Sequence, residues 1–321
     1  MRIDPHVHCR DGRESYKETI AHVLRLCDQQ GVTIIFDMPN TDPPLLTARD
    51  AELRLKLVPE GGRSRYRVYL GATADVAQLR KAVSAVANSE NIIGLKLYAG
   101  CSVGSLAVVA EEDQLLVYRT LADAGYTGVL AVHCEKESLC VNAFDPKQPS
   151  THSLARPPAA EIQAIADQIR FAEAAGFQGA LHICHVSTAA GLDVINSARG
   201  KLKITCGVTP HHLLWSAVQA KGAEGLLYKI NPPLRDPVDV IALRKALKDG
   251  DVDWIETDHA PHPISEKLYP PYASGYPSLC LYRTLVEELL PCWGLSGDRI
   301  RDVTDKAIRR VFDERKLHYD T

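Results

Sequence analysis

The sequence predicts an α/β fold, a (β/α)8 TIM-type barrel of parallel strands, and three observations carry that expectation. Short apolar, β-branched runs recur at 3–8, 32–38, 67–72, 92–98, 129–134, 180–186, 202–208 and 252–257. The stretches between them have helical spacing, as where Ile20, Val23, Leu24 and Cys27 fall at i, i+3, i+4 and i+7. Strand and helix alternating in this way predict a parallel sheet. Several runs also end in a side chain able to hold a metal ion. Groups at the carboxyl ends of successive buried strands converge only if the sheet closes on itself.

The first run contains Asp4-Pro5-His6-Val7-His8-Cys9-Arg10. Side chains two apart on a strand share a face, so His6 and His8 can reach one cation. Four later runs end in comparable groups: Lys96 after Ile92-Ile93-Gly94-Leu95, His133 after Val129-Leu130-Ala131-Val132, His185 after Ala180–Cys184, and Asp258 after Val252–Thr257. Strict alternation turns Cys9 and Cys184 away from the metal and points His182 toward the outer helices or barrel packing. Cys206 could face the interior and is read as a small core residue. Glycines at 31, 125, 176, 200 and 250 precede strands and are placed to stop helices, and Thr47 is the expected N-cap of 48–58. Three long loops, 135–158, 222–238 and 259–278, lie on the active-site side of such a barrel. The last, rich in proline and tyrosine, is read as a wall over the substrate.

A chain of 321 residues, 45% hydrophobic, can bury a large core, and the expectation is one barrel domain spanning 1–321. A formal charge of −3 gives no electrostatic case for nucleic acid or an anionic membrane. No stretch approaches the ~20 apolar residues that span a bilayer, and no apolar signal core opens the chain. The nine cysteines are scattered without a C-x-x-C pair, as in a reduced, cytoplasmic protein.

Six segments taken in order resemble dihydroorotase, within the amidohydrolase superfamily: Asp4–Arg10, Asp37-Met38-Pro39-Asn40-Thr41, Gly94-Leu95-Lys96-Leu97-Tyr98, His182–Ser187, Thr209-Pro210-His211-His212, and Thr257-Asp258-His259-Ala260-Pro261-His262. The third and the last are similar to the dihydroorotase domain of the animal multifunctional pyrimidine-synthesis protein. The resemblance implies a metal-dependent hydrolase with two zinc ions, one on His6, His8 and Asp258, the other on His133 and His185. Lys96, carboxylated to N6-carboxylysine, would bridge them. An ammonium cannot bind zinc, whereas a carbamate offers two hard oxygens and a negative charge.

The implied reaction is the reversible hydrolysis of the cyclic amide of (S)-dihydroorotate to N-carbamoyl-L-aspartate in pyrimidine biosynthesis. Asp258 would carry the proton from the attacking water to the leaving ring nitrogen. Arg10 shares the face of His8, so its fork can pair with the substrate carboxylate. Asn40 and His262 would assist it, with the backbone of Gly275 and the amide of Asn231 holding the ring. Ser102, or else Ser105, would contact substrate from a mobile loop over 98–107, hinged at Gly100 and Gly104. His259 is expected to orient a metal ligand, His211 and His212 are assigned to no metal, and His22, His152 and His318 are read as peripheral. Gly207, where relatives often carry glutamate, and Ser278 with Cys280, in place of a Gly-x-Glu, depart from the pattern. The expectation is a barrel without the β-sandwich that many relatives add. A homodimer and association with aspartate transcarbamoylase are further implications. The alternatives are a hydantoinase or allantoinase, which Arg10 and Asn40 disfavour, and an inactive homologue that scaffolds a pathway partner.

Overall fold

The computed structural model describes residues 1–100 and 106–319. Eight parallel strands run in sequence order around a barrel: β1 (Ile3–Val7), β2 (Ile34–Asp37), β3 (Tyr66–Gly71), β4 (Ile92–Ala99), β5 (Val129–Cys134), β6 (Ala180–Ile183), β7 (Ile204–Val208) and β8 (Trp254–Ile255). The last is far shorter than the apolar run suggests. Beyond Ile255 the chain still closes the barrel, since Asp258 N donates to His6 O at 3.0 Å and His8 N to His259 O at 2.8 Å. All eight strands belong to this barrel. Among the described residues no helix is long and apolar enough to cross a membrane.

The helices form where their caps and apolar stripes place them. Thr47 caps Ala48–Leu55 reciprocally with Asp50, three residues short of the expected end at 58. Gly31, Gly176 and Gly250 stop their helices in the left-handed conformation, at φ 70°, 63° and 105°. Inward-facing side chains fill the lower barrel. Phe312, from the C-terminal segment, plugs it with ring centroids 5.0 Å from Phe36, 6.4 Å from Tyr69 and 6.0 Å from Trp254. This apolar floor leaves the polar groups at the upper end as the place where chemistry can occur.

The loop over 259–278 has specific fastenings. Lys229 Nζ donates to Tyr272 O and Ser274 Oγ, both at 2.8 Å. Lys267 Nζ donates to Lys229 O at 2.8 Å and Gly275 O at 2.7 Å. Two lysines thus tie the segment before Asn231 to the segment around Gly275.

A buried ion pair anchors the rim. Asp37, at the end of β2, accepts Arg54 Nη2 at 2.7 Å and Cys9 N at 2.8 Å, and also the Tyr66 hydroxyl. One carboxylate therefore joins β1, β2, β3 and an outer helix. Replacing it leaves Arg54 buried without its counter-ion, so Asp37→Asn is expected to cost about 3–5 kcal/mol of stability in urea unfolding. A loss below ~1 kcal/mol, the size of an exposed pair, would contradict this account.

Candidate metal centre

The ligand-type residues of the sequence converge at the upper mouth of the barrel. His6, His8, Arg10, Asn40, Lys96, His133, His185, Asn231, Asp258 and Gly275 line one pocket, together with Tyr98, Ala260 and Ser274. His6, His8 and Asp258 form one group, their ligand atoms all within 4.8 Å of one another. Asp258 Oδ1 lies 2.9 Å from His8 Nε2 and 3.3 Å from His6 Nε2. His133 Nδ1 and His185 Nε2 face each other at 3.1 Å. The rings of His6 and His185, 5.2 Å apart, connect the two groups.

The backbone places these groups in ways that periodicity does not. In β1 the pairing register shifts between Asp4 and Val7. That irregularity resets the phase of the strand just before His6 and His8. His185 and Asp258 both follow the end of their strands at positive φ, 39° and 47°, and Arg10 has φ 53°. Side chains with a Cβ rarely adopt this conformation, and here three of them aim a functional group into one pocket.

This explains one correction to the expected orientations. Cys184 does not point away: its Sγ is 3.0 Å from Lys96 Nζ and it groups with His6 and His185. It is Cys184 that keeps the inward phase of β6, and His185 reaches the pocket only because the chain turns after the strand. His182 shares that inward phase, stacked on Trp254 at 4.3 Å between centroids and bonded to Glu256 at 2.9 Å. Cys206 instead packs outward beside Arg199 and Asp251.

Neighbouring groups fix how each imidazole presents itself. Asn40 Oδ1 accepts His8 Nδ1–H at 2.8 Å, leaving Nε2 toward Asp258. Glu135 accepts His133 Nε2–H at 2.9 Å and is itself held by Arg156 at 2.9 and 2.7 Å, leaving Nδ1 toward His185. Carboxylate or amide support behind a histidine is the arrangement that sets a metal ligand. His6 Nδ1 and His185 Nδ1 are buried without a hydrogen-bond partner. Such a donor set, imidazole nitrogen and carboxylate oxygen, fits divalent zinc. Glu135 escaped the sequence reading because nothing in its spacing separates it from a loop carboxylate.

The electrostatics follow from burial and charge. Burial pushes His8 down to about 4. Burial, then His133 and Lys96, hold His185 well below its usual value. Burial and Lys96 also oppose protonation of His6, but the Cys184 thiolate and Glu256 outweigh them and raise it to about 10. Burial works against the Asp258 carboxylate, yet His8 and His6 hold it well below the usual range. Lys96 is fully buried, with the Cys184 sulfur as its partner and no carboxylate in ion-pair reach among the described residues. Lys96 draws that thiol down to about 5 against the opposing effect of burial.

Of the proposed substrate contacts, Arg10 Nη2 donates to His262 Nε2 at 3.1 Å, while Arg10 Nε is buried without a partner. His262, lowered to about 3 by burial and Arg10, donates from Nδ1 to Glu266 at 2.8 Å. Asn231 Oδ1 accepts from His152 Nε2 at 2.9 Å, so His152 is buried beside the site and not peripheral. His259 also differs from expectation: its ring meets Leu279 N and Glu18, and only its carbonyl supports a ligand, through His8 N. Gly275 has φ 151°, and a Cβ there would fall 2.3 Å from Ala260 O. Only glycine fits that position. Ser102, Ser105 and Gly104 lie outside the described residues.

Glu135 gives a pH-dependent test. Burial opposes its charge, but His133 and Arg156 hold its pKa far below the ordinary value of 4.5. A depressed carboxylate stabilises the fold fully above its unfolded pKa, and that stability is lost as pH falls through the folded value. Glu135→Gln is therefore expected to cost about 3–5 kcal/mol near pH 7. The penalty should shrink in unfolding measurements made below pH ~4.5; one of equal size at both pH values would contradict the assignment.

No family model matches the chain. A protein named dihydroorotase from Leifsonia xyli subsp. xyli is 34% identical over 271 residues, covering 83% of this chain and 59% of that protein. Dihydroorotases from Staphylococcus aureus and Bacillus licheniformis are each 32% identical, over 84% and 83% of this chain and 62% and 60% of theirs. The chain thus spans 59–62% of the length of these curated relatives. Among solved structures, the D-hydantoinase (dihydropyrimidinase) of Thermus sp. superposes with a TM-score of 0.80 at 22% identity, over 97% of this chain and 70% of that one. The L-hydantoinase of Arthrobacter aurescens gives 0.82 at 23% identity, with the same coverage of 97% and 70%. Those likenesses establish the barrel, and the curated relatives establish descent. Over most of its length, this chain is a homologue of the dihydroorotases, carried on the barrel that hydantoinases share.

Proposed function

We propose that the chain is a dihydroorotase, hydrolysing the cyclic amide of (S)-dihydroorotate to N-carbamoyl-L-aspartate and closing it again in reverse. The observation that supports this most directly is the meeting of His6, His8, Asp258, His133 and His185 around buried Lys96, with Arg10 in the same pocket. His6, His8 and Asp258 would hold one zinc ion, His133 and His185 the second, and Lys96 as N6-carboxylysine would join them. Zinc held there polarises the ring carbonyl and lowers the pKa of water from ~15.7 to about 7.

The chain's own residues supply the rest. Asp258, ionised in the resting protein, takes a proton from the attacking water and returns it to the ring nitrogen as the amide opens. Arg10 pairs with the substrate carboxylate, flanked by Asn40 and His262. Asn231, oriented by His152, holds the urea edge, and the glycine at 275 lets substrate approach the backbone closely. A hydantoin has no carboxylate for Arg10 to meet, which favours the acidic substrate. The presence of all six ligand-type residues argues against an inactive scaffold. A cytoplasmic setting, a homodimer, association with aspartate transcarbamoylase and a single domain over 1–321 belong to the same reading and rest on the resemblance.

Two substitutions test it. Lys96→Ala is expected to empty at least one metal position and abolish turnover of dihydroorotate and N-carbamoyl-aspartate; full metal content with normal rates would remove the bridging role. Arg10→Ala is expected to raise the barrier for dihydroorotate by roughly 2–5 kcal/mol, the cost of truncating one side of a buried charge pair. The same variant should leave any turnover of hydantoin nearly unchanged. Equal losses on both substrates would contradict the carboxylate assignment.

A further inference from the structure

Beneath the pocket lies a carboxylate that the proposed reaction does not use. Glu256, one residue past β8, is 1% exposed. Its Oε1 accepts the backbone N–H of His185 at 2.5 Å and lies 3.6 Å from His6 Nδ1. Its Oε2 accepts from His182 Nε2 at 2.9 Å and Trp254 Nε1 at 3.2 Å. Three donors thus bond one carboxylate, and a fourth nitrogen, His6 Nδ1, faces it from beyond hydrogen-bond distance. His185 holds φ 39°, a conformation that persists only where its surroundings impose it. The bond to its N–H is a direct means of imposing it. A carboxylate facing Nδ1 of His6 also selects the tautomer that leaves Nε2 free toward Asp258.

Gly207 makes room for this arrangement. A Cβ on that residue of β7 would fall 2.5 Å from Glu256 Cδ and 2.7 and 2.8 Å from its two oxygens. Real side chains do not approach so closely, and the carboxylate cannot swing aside without leaving its donors. The glutamate in this position therefore requires a glycine at 207, on the adjoining strand β7.

We propose that Glu256 is a positioning residue that sets His6 and His185 for the two metal positions, and that Gly207 is the gap in β7 that admits it. The inference rests on the metal-centre reading above. Glutamine is the informative replacement, because its amide keeps the shape but turns one acceptor oxygen into a donor facing donors.

The test is titration of the protein with cobalt(II) in the presence of bicarbonate, followed by its visible absorption, for wild type, Glu256→Gln and Gly207→Ala. Wild type is expected to take up two equivalents. Glu256→Gln should bind about 10–100-fold more weakly, the usual cost of removing support behind a ligand, with an altered visible spectrum. Gly207→Ala, which displaces the carboxylate without removing it, should weaken binding in the same direction and decides the matter should Glu256→Gln fail to fold. Wild-type affinity and spectrum in the folded variants would overturn the positioning role and leave the metal-centre reading standing. A third equivalent in wild type that disappears in Glu256→Gln would make Glu256 a ligand and overturn it too. A wild type that binds no cobalt would bring down the metal-centre reading and this inference together.

Discussion

A lysine ammonium buried at the centre of a barrel is the constraint around which the rest of the structure is arranged. Lys96 has no exposure and no carboxylate within ion-pair distance among the described residues; its partner is the sulfur of Cys184. A charge so placed carries a large desolvation cost. Conversion to a carbamate reverses its sign and turns it toward cations instead of away from them. The neighbouring nitrogens then make sense, since His185 Nδ1 lacks a partner and the Nε2 atoms of His6 and His8 already face Asp258. The metal-centre proposal resolves one electrostatic cost with two cations.

Around this centre the protein uses anions in different ways. Asp258 faces the pocket. Glu135 stands behind His133 and is itself neutralised by Arg156, so its charge is spent on orientation. Glu256 stands below, ringed by donors. Asp37 works further out, joining β1 to β2, β3 and a helix. The barrel supplies this separation: its floor of Phe36, Tyr69, Trp254 and Phe312 excludes water from below, and the lysine-fastened loop shapes the opening above.

Most of the barrel was legible because its signals are local. Eight apolar runs, helical spacing between them and glycines at helix ends each arise within about ten residues. The ligand-type residues were legible because unusual chemistry ended those runs. What could not be read was direction. Alternation assigns Cys184 outward and says nothing of Glu256, because it assumes that the strand continues through His185 and Asp258. In fact the chain turns at positive φ at both positions, and the register of β1 slips just before His6. Beyond the short β8 the chain still touches both neighbours, since Glu256 N donates to Val208 O of β7 and Asp258 N to His6 O of β1. Glu135 and His152 were missed for a different reason. Their partners, His133 with Arg156 and Asn231, are assembled by loops whose paths no periodicity encodes.

The central claim concerns the chemical state of one nitrogen, so the most direct measurement observes it. Carbon-13 NMR of the zinc-loaded protein equilibrated with labelled bicarbonate should show a protein-bound carbamate carbon that is absent from Lys96→Ala. A zinc-replete, active protein with no such resonance would contradict the account.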